Sequence, residues 1–165
     1  MIVGVPKEIK NNEYRVGLTP KSVDEITSIG HDVYVENNAG FEIGYTNQNY
    51  IESGAKIINS AEEVYKSSEL IVKVKEPLSS EFNFINKDNI LFTYLHLAGN
   101  KDESIELAKT GVTGIAYETV TSDDGSLPLL SPMSSIAGQL SIIVGSYNLL
   151  KHNNGKGTLL GNVSN

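Results

Sequence analysis

Residues 2–36 read IVGVPKEIKNNEYRVGLTPKSVDEITSIGHDVYVE. The opening IVGV is a short apolar run of the buried-strand type. A polar loop, PKEIKNNEYRVGLTP, follows it. Pro20 then opens an amphipathic helix with Val23, Ile26 and Ile29 on one face, and Gly30 stops it. HDVYVE alternates apolar and polar residues and reads as a second strand. The segment is a β-loop-α-β unit, whose crossover is expected to be right-handed.

The same alternation runs outward from this unit. NQNYIESG predicts a short helix and AKIIN a strand. SAEEVYKS predicts a helix with Ser60 as N-cap and Glu63 completing a capping box. ELIVKVKEP reads as a strand ended by Pro77, and ILFTYLH (90–96) as another. DESIELAKTG reads as a helix and VTGIAYET as a strand. SDDGSLPLLSP leads into a long apolar helix from about residue 133 to 151. Strands alternating with helices imply an α/β fold with a mainly parallel sheet and flanking helices.

Composition narrows the function classes. The 165 residues suffice for one domain, or one domain plus part of another. The apolar share of 39% and charged share of 20% suit a globular protein. No apolar run approaches the ~18 residues of a membrane helix. The start, MIVGVPKEIKNN, reads as a first strand and not as a signal peptide, so the expected compartment is cytoplasmic. With no cysteine there are no disulfides and no thiolate metal sites, and no metal is expected. The net charge of −7 comes without a basic run, which argues against nucleic acid as a partner.

In open α/β sheets, ligands bind beyond the carboxyl ends of the strands. That rule gathers residues far apart in sequence. Arg15 lies past the first strand, Lys75 ends LIVKVK, His96 ends ILFTYLH, and Glu118 follows GIAY. Arg15 is the sole arginine beside twelve lysines. It suits a forked grip on a carboxylate, or equally a surface ion pair. Lys75 can donate to a carbonyl or hydroxyl oxygen. Lys73 and Lys75 share one strand face, so both also read as solvated rim charges. His96 carries an imidazole that can pass a proton, or it is a satisfied core histidine. Together the three match a 2-oxo acid.

The motifs GVPKEIKNNEYRVGLTP (4–20), GHDVYVE (30–36), LIVKVKEP (70–77), ILFTYLHLA (90–98), AYET (116–119) and LPLLSPMSSIAG (127–138) occur in one order and cover nearly the whole chain. In this the chain resembles the N-terminal portion of the alanine dehydrogenase family, which shares its RVGLTP-type element with the transhydrogenases. The resemblance implies a Rossmann-like (flavodoxin-like) substrate domain over 1–130. It also implies a linking helix and the start of an NAD-binding domain over 131–165. It implies NAD as cofactor, L-alanine and pyruvate as small-molecule substrates, and a homo-oligomer, hexameric in the full-length family. Arg15 is then the carboxylate ligand, Lys75 the ligand of the substrate oxygen, and His96 the proton donor and acceptor. Ser134 of the P-M-S element is then the dinucleotide contact, although a serine there also serves as an N-cap.

The sequence departs from the family pattern at Ser135 and after Gly161, where it ends GNVSN. Gly155, Gly157 and Gly161 do not have G-x-G-x-x-G spacing, so no pyrophosphate cradle is expected in this chain. The expectation is an N-terminal part of the enzyme, inactive alone. The alternatives are a non-catalytic remnant that binds a keto acid or pairs with intact subunits, and the N-terminal domain of a transhydrogenase-like relative. The long helix carries Ile136, Leu140, Ile142, Ile143, Val144, Leu149 and Leu150 around most of its circumference, which predicts self-association.

Overall fold

In the computed structural model, residues 1–161 are described; residues 162–165, the divergent NVSN, lie outside them. The chain divides into two compact units, Met1–Thr119 and the residues from Val120 onward.

The first unit holds six strands: β1 (Ile2–Val5), β2 (Asp32–Glu36), β3 (Lys56–Ile58), β4 (Leu70–Val72), β5 (Ile90–Thr93) and β6 (Thr113–Ala116). Helices α1 (Pro20–Ser28), α2 (Asn47–Glu52), α3 (Ala61–Ser67) and α4 (Lys101–Lys109) connect them. The sheet order is β3-β2-β1-β4-β5-β6, and every pair is parallel. The chain builds one way from β1 to β3, then restarts beside β1 at β4. That restart is a topological switch point, where loops leave neighbouring strands in opposite directions and open a crevice.

Local chemistry accounts for the helix starts. Thr19 Oγ1 accepts the Ser22 N–H at 3.2 Å, and Pro20 supplies a preset first turn. Ile29 does not join the buried face of α1. It is the C-cap and 71% exposed, because the helix already ends at Ser28. At α3 only half of the expected capping box is seen: Ser60 Oγ accepts the Glu63 N–H at 3.3 Å. The reciprocal box closes at α2 instead, where Thr46 and Asn49 bond each other's backbone N–H.

Two apolar clusters carry the unit. Val3, Val5, Val23, Val33 and Val35 pack on the β1–β2 side, and Tyr65, Ile71, Leu91, Leu95 and Leu107 around β4 and β5. β-branched residues dominate the central strands, as expected where a parallel sheet is covered on both faces. β4 and β5 are shorter than their apolar runs suggest. They end at Val72 and Thr93, leaving Lys75 and His96 three residues past the last strand residue.

The second unit holds α5 (Ser131–Leu149) and a short 3-10 turn over Lys151–Asn153. Ser134 is not an N-cap. It lies inside the first turn of α5, with its N–H donating to Leu130 O at 3.1 Å. The helix closes through Gly157 N–H to Leu149 O (2.9 Å) and Gly155 N–H to Leu150 O (3.0 Å). No described helix is long and apolar enough to cross a membrane.

Candidate functional site

The β1 and β4 loops meet at the switch point through a buried ion cluster. Lys73 Nζ lies 2.8 Å from Glu81 Oε1 and 3.5 Å from Glu8 Oε2, with the three side chains 0%, 3% and 2% exposed. Tyr65 Oη donates to Glu81 Oε1 at 2.9 Å, and Leu78 N–H to Glu81 Oε2 at 2.9 Å. Lys73 is therefore not a solvated rim charge. A lysine in the interior needs paired acceptors, and here two carboxylates supply them. Burial raises the Glu8 carboxyl above its ordinary range, with Lys73 and two backbone donors opposing.

Glu8 also shapes the tip of β4. Its Oε1 accepts the N–H of Val74 at 2.7 Å and of Lys75 at 3.3 Å. Thr93 Oγ1, from β5, donates to Lys75 O at 2.9 Å. The backbone of Lys75 is thus held from both neighbouring strands, and its side chain is half-buried at the rim.

Arg15 stands on the β1 loop. Its Nε donates to Glu13 Oε1 at 2.8 Å and its Nη2 to Glu13 Oε2 at 2.6 Å. Glu13 takes two of the five guanidinium donors. Hydrogen bonds from Arg15 hold the Glu13 carboxyl below its ordinary range, against partial burial, and the positive charge of Lys75 adds to the effect. The hydrogen bonds to Glu13 in turn raise the Arg15 guanidinium above its ordinary value, with burial opposing and the Glu8 charge adding to them. Arg15 and Lys75 therefore share one electrostatic neighbourhood on the carboxyl edge of β1 and β4.

His96 follows β5 in the left-handed region, at φ 49°. Its ring stacks on Tyr94, with centroids 5.9 Å apart and planes at 15°. Tyr117 meets Tyr94 edge-on at 5.0 Å. His96 borders two adjacent hollows, one with Glu76, Leu95 and Ser104, the other with Gly99, Glu118 and Thr119. Its charge also acts on Glu76. Burial raises that carboxyl, but the hydrogen bond from Lys10, its own backbone and His96 together bring it below its ordinary range.

The carboxyl edge thus brings Arg15, Lys75 and His96 onto the ends of β1, β4 and β5. Ser134 lies in the second unit. The sequence reading passed over Glu13, Glu8 and Tyr94 and gave Glu118 no role. Glu13 carried a signal, being an acid two residues before the lone arginine; Glu8 carried none, since its partners are about 66 residues away.

A dinucleotide needs a glycine turn that opens a helix after a strand. Among the described residues, Gly155 and Gly157 instead close α5, with their N–H groups bonded to Leu150 O and Leu149 O. Those two N–H groups are therefore not available to a pyrophosphate.

The family model described as "Alanine dehydrogenase/PNT, N-terminal domain" matches residues 4–137. The chain is 52% identical over 163 residues to the alanine dehydrogenase of Methanococcus maripaludis, covering 99% of this chain and 44% of that protein. It is 47% identical to that of Mycolicibacterium smegmatis over the same span, with the same shares covered. A solved L-alanine dehydrogenase superposes with a TM-score of 0.84 at 49% identity, over 99% of this chain and 45% of the other. A transhydrogenase from Sinorhizobium meliloti superposes with a TM-score of 0.67 at 30% identity, over 72% of this chain and 34% of the other. The chain spans less than half the length of the curated relatives it matches.

Proposed function

Because the chain belongs to the alanine dehydrogenase/PNT N-terminal domain family, we propose that its carboxyl edge is the 2-oxo-acid-binding part of an NAD-dependent alanine dehydrogenase. The overall reaction is L-alanine, NAD+ and water to pyruvate, ammonium, NADH and a proton. The observation that carries this is the placement of Arg15, Lys75 and His96 past β1, β4 and β5, around the sheet's switch point.

Each residue has a distinct task in this reading. The Arg15 fork takes the substrate carboxylate, turned toward it by Glu13. The Lys75 ammonium donates to the carbonyl oxygen of pyruvate and stabilises negative charge developing there. His96 carries the proton that the oxygen gains or loses as the carbon changes between tetrahedral and planar. NAD supplies the hydride acceptor, and family resemblance alone assigns Ser134 a contact with it. In the same reading residues 1–130 are the substrate domain and 131–165 the linking helix with the start of the nucleotide domain.

Backbone and side-chain NMR of the 165-residue polypeptide tests this with three probes. Pyruvate is expected to shift Arg15, Lys75 and His96 signals. Propionate, which has a carboxylate but no carbonyl, is expected to shift Arg15 alone, and acetone to shift none of the three. Equal responses to pyruvate and propionate at Lys75 and His96, or none to pyruvate, would sink the reading.

A further inference from the structure

Past Thr93, the chain of β5 stops pairing as a strand after Tyr94 N–H reaches Val74 O at 3.3 Å. The next two N–H groups point to one carboxylate. Leu95 N–H donates to Glu118 Oε1 at 3.2 Å and Oε2 at 3.3 Å, and His96 N–H donates to Glu118 Oε1 at 2.7 Å. Two successive N–H groups turned to one side form a concavity suited to an anion. Here the anion comes from the protein itself, from the 3-10 turn Tyr117–Thr119 that follows β6.

Register explains why Glu118 can reach. β5 and β6 are parallel with Thr93 opposite Ala116, so Glu118 and His96 emerge from the same edge two and three residues later. The geometry at His96 needs an outside constraint. An L-residue with a positive φ near 50° has a steric cost relative to the right-handed or extended regions. A charge-assisted hydrogen bond of 2.7 Å offsets that cost. Without it the segment gains by relaxing, and the imidazole turns with the backbone. The stack of His96 on Tyr94 is then lost as well.

We propose that Glu118 is a positioning residue for His96: its carboxylate, bound to the Leu95 and His96 N–H groups, fixes the left-handed turn that aims the imidazole at the bound 2-oxo acid. The bearing on catalysis rests on the reading of His96 as the proton carrier. The geometric part does not.

The test is NMR on the 165-residue polypeptide and its Glu118→Ala and Glu118→Gln variants. Three readouts are compared: amide exchange at His96, the contact between the His96 and Tyr94 rings, and the pyruvate-induced shift of the His96 ring. Glu118→Ala is expected to speed His96 amide exchange about tenfold or more, as one charge-assisted bond is lost. It is also expected to abolish the ring contact and the pyruvate response of the His96 ring, while Arg15 keeps its response. Glu118→Gln, whose amide oxygen still accepts, is expected to restore the ring contact and most of the protection. Should Glu118→Ala not fold, Glu118→Gln and Glu118→Asp answer the same question through the ring contact. A Glu118→Ala protein with wild-type exchange and ring contact overturns the proposal, as does one changed only in melting temperature. A wild-type chain whose Arg15, Lys75 and His96 ignore pyruvate overturns the 2-oxo-acid reading instead, and the exchange and ring-contact comparison still decides the role of Glu118.

Discussion

Glu13 holds Arg15 by two parallel hydrogen bonds, 2.8 Å from Nε and 2.6 Å from Nη2. The only arginine of the chain is thus already engaged by a carboxylate of its own loop. The Glu13 side chain is 7% exposed and that of Arg15 44%, so the carboxylate is nearly out of water while the arginine stays partly in it. A planar fork so held is worth more than a charge, because its donors are set before any ligand arrives.

Replacing Arg15 by Lys keeps the charge and loses the fork. Pyruvate affinity is expected to fall about tenfold or more, roughly 1.4 kcal/mol. Glu13→Gln is expected to lower it as well, because an amide accepts only one of the two hydrogen bonds that orient the fork. Titration calorimetry of both variants with pyruvate checks both losses. The acid limb of stability carries a second mark. The Glu13 carboxyl lies below its ordinary 4.5 in the folded state, so its contribution is present above that value and lost as pH falls through the folded value. Glu13→Gln should flatten that part of the urea midpoint against pH.

Lys73 sits between Glu8 and Glu81 with none of its surface in water. Lys73→Met fills its volume but leaves buried carboxylates without a cation. Near neutral pH this is expected to cost about 3–5 kcal/mol in urea unfolding. The pH sign is opposite to that at Glu13. Burial raises the folded Glu8 value above 4.5, so the folded state binds the extra proton and stability falls as pH rises through that window. Removing Lys73 widens the window upward. The deficit of the variant is expected to shrink as pH is lowered from neutrality, as the proton taken up by Glu8 replaces the lost cation. A deficit that does not vary with pH would mean that the lysine acts by packing alone.

Much of this architecture is legible in the sequence, for a local reason. The 2.0 and 3.6 periods of 2–36 are written in neighbouring residues, and β1, α1 and β2 lie within a residue or two of where those periods place them. The strand tips are different. Apolar runs carried the expected strands to Lys75 and His96, yet β4 and β5 stop at Val72 and Thr93. Past those points Glu8 and Glu118 bind the N–H groups of Val74, Lys75, Leu95 and His96. No local pattern announces a carboxylate arriving from another loop. The burial of Lys73 escaped for the same reason. Its alternation with Lys75 puts both on one face, and only the tertiary meeting of Glu8 and Glu81 separates a structural lysine from a rim lysine.

The left-handed backbone at His96 makes a prediction that ignores its chemistry. At φ 49° a glycine pays no steric cost and an alanine does. His96→Gly is therefore expected to be more stable than His96→Ala by about 1 kcal/mol, the reverse of the usual order for the two residues. Urea unfolding of the two variants measures the difference. Neither should show a pyruvate response from residue 96, so the stability order is read free of any ligand effect. An alanine variant as stable as the glycine one would place residue 96 in the extended region.

Gly17 joins the Arg15 loop to β4 by contact of backbones. A Cβ there would collide with Val72 O and lie 2.8 Å from its carbonyl carbon. Both are main-chain atoms at the end of a central strand, so neither yields as a flexible side chain would. Gly17→Ala must lift the loop from β4 or distort the β4 tip. The loop is pinned beyond this point, since Tyr50 Oη donates to Leu18 O at 2.9 Å. The displacement is therefore expected to fall on Arg15. Stability should drop by about 1–3 kcal/mol, and pyruvate affinity should drop with it through the altered spacing of Arg15 and Lys75. The double variant separates the two effects. If Gly17 acts on the ligand only through Arg15, adding Gly17→Ala to Arg15→Lys lowers stability again but barely changes pyruvate affinity further. Calorimetric titration of the single and double variants closes that cycle, and fully additive losses in affinity would show that Gly17 reaches the ligand by another route, through the tip of β4 and Lys75.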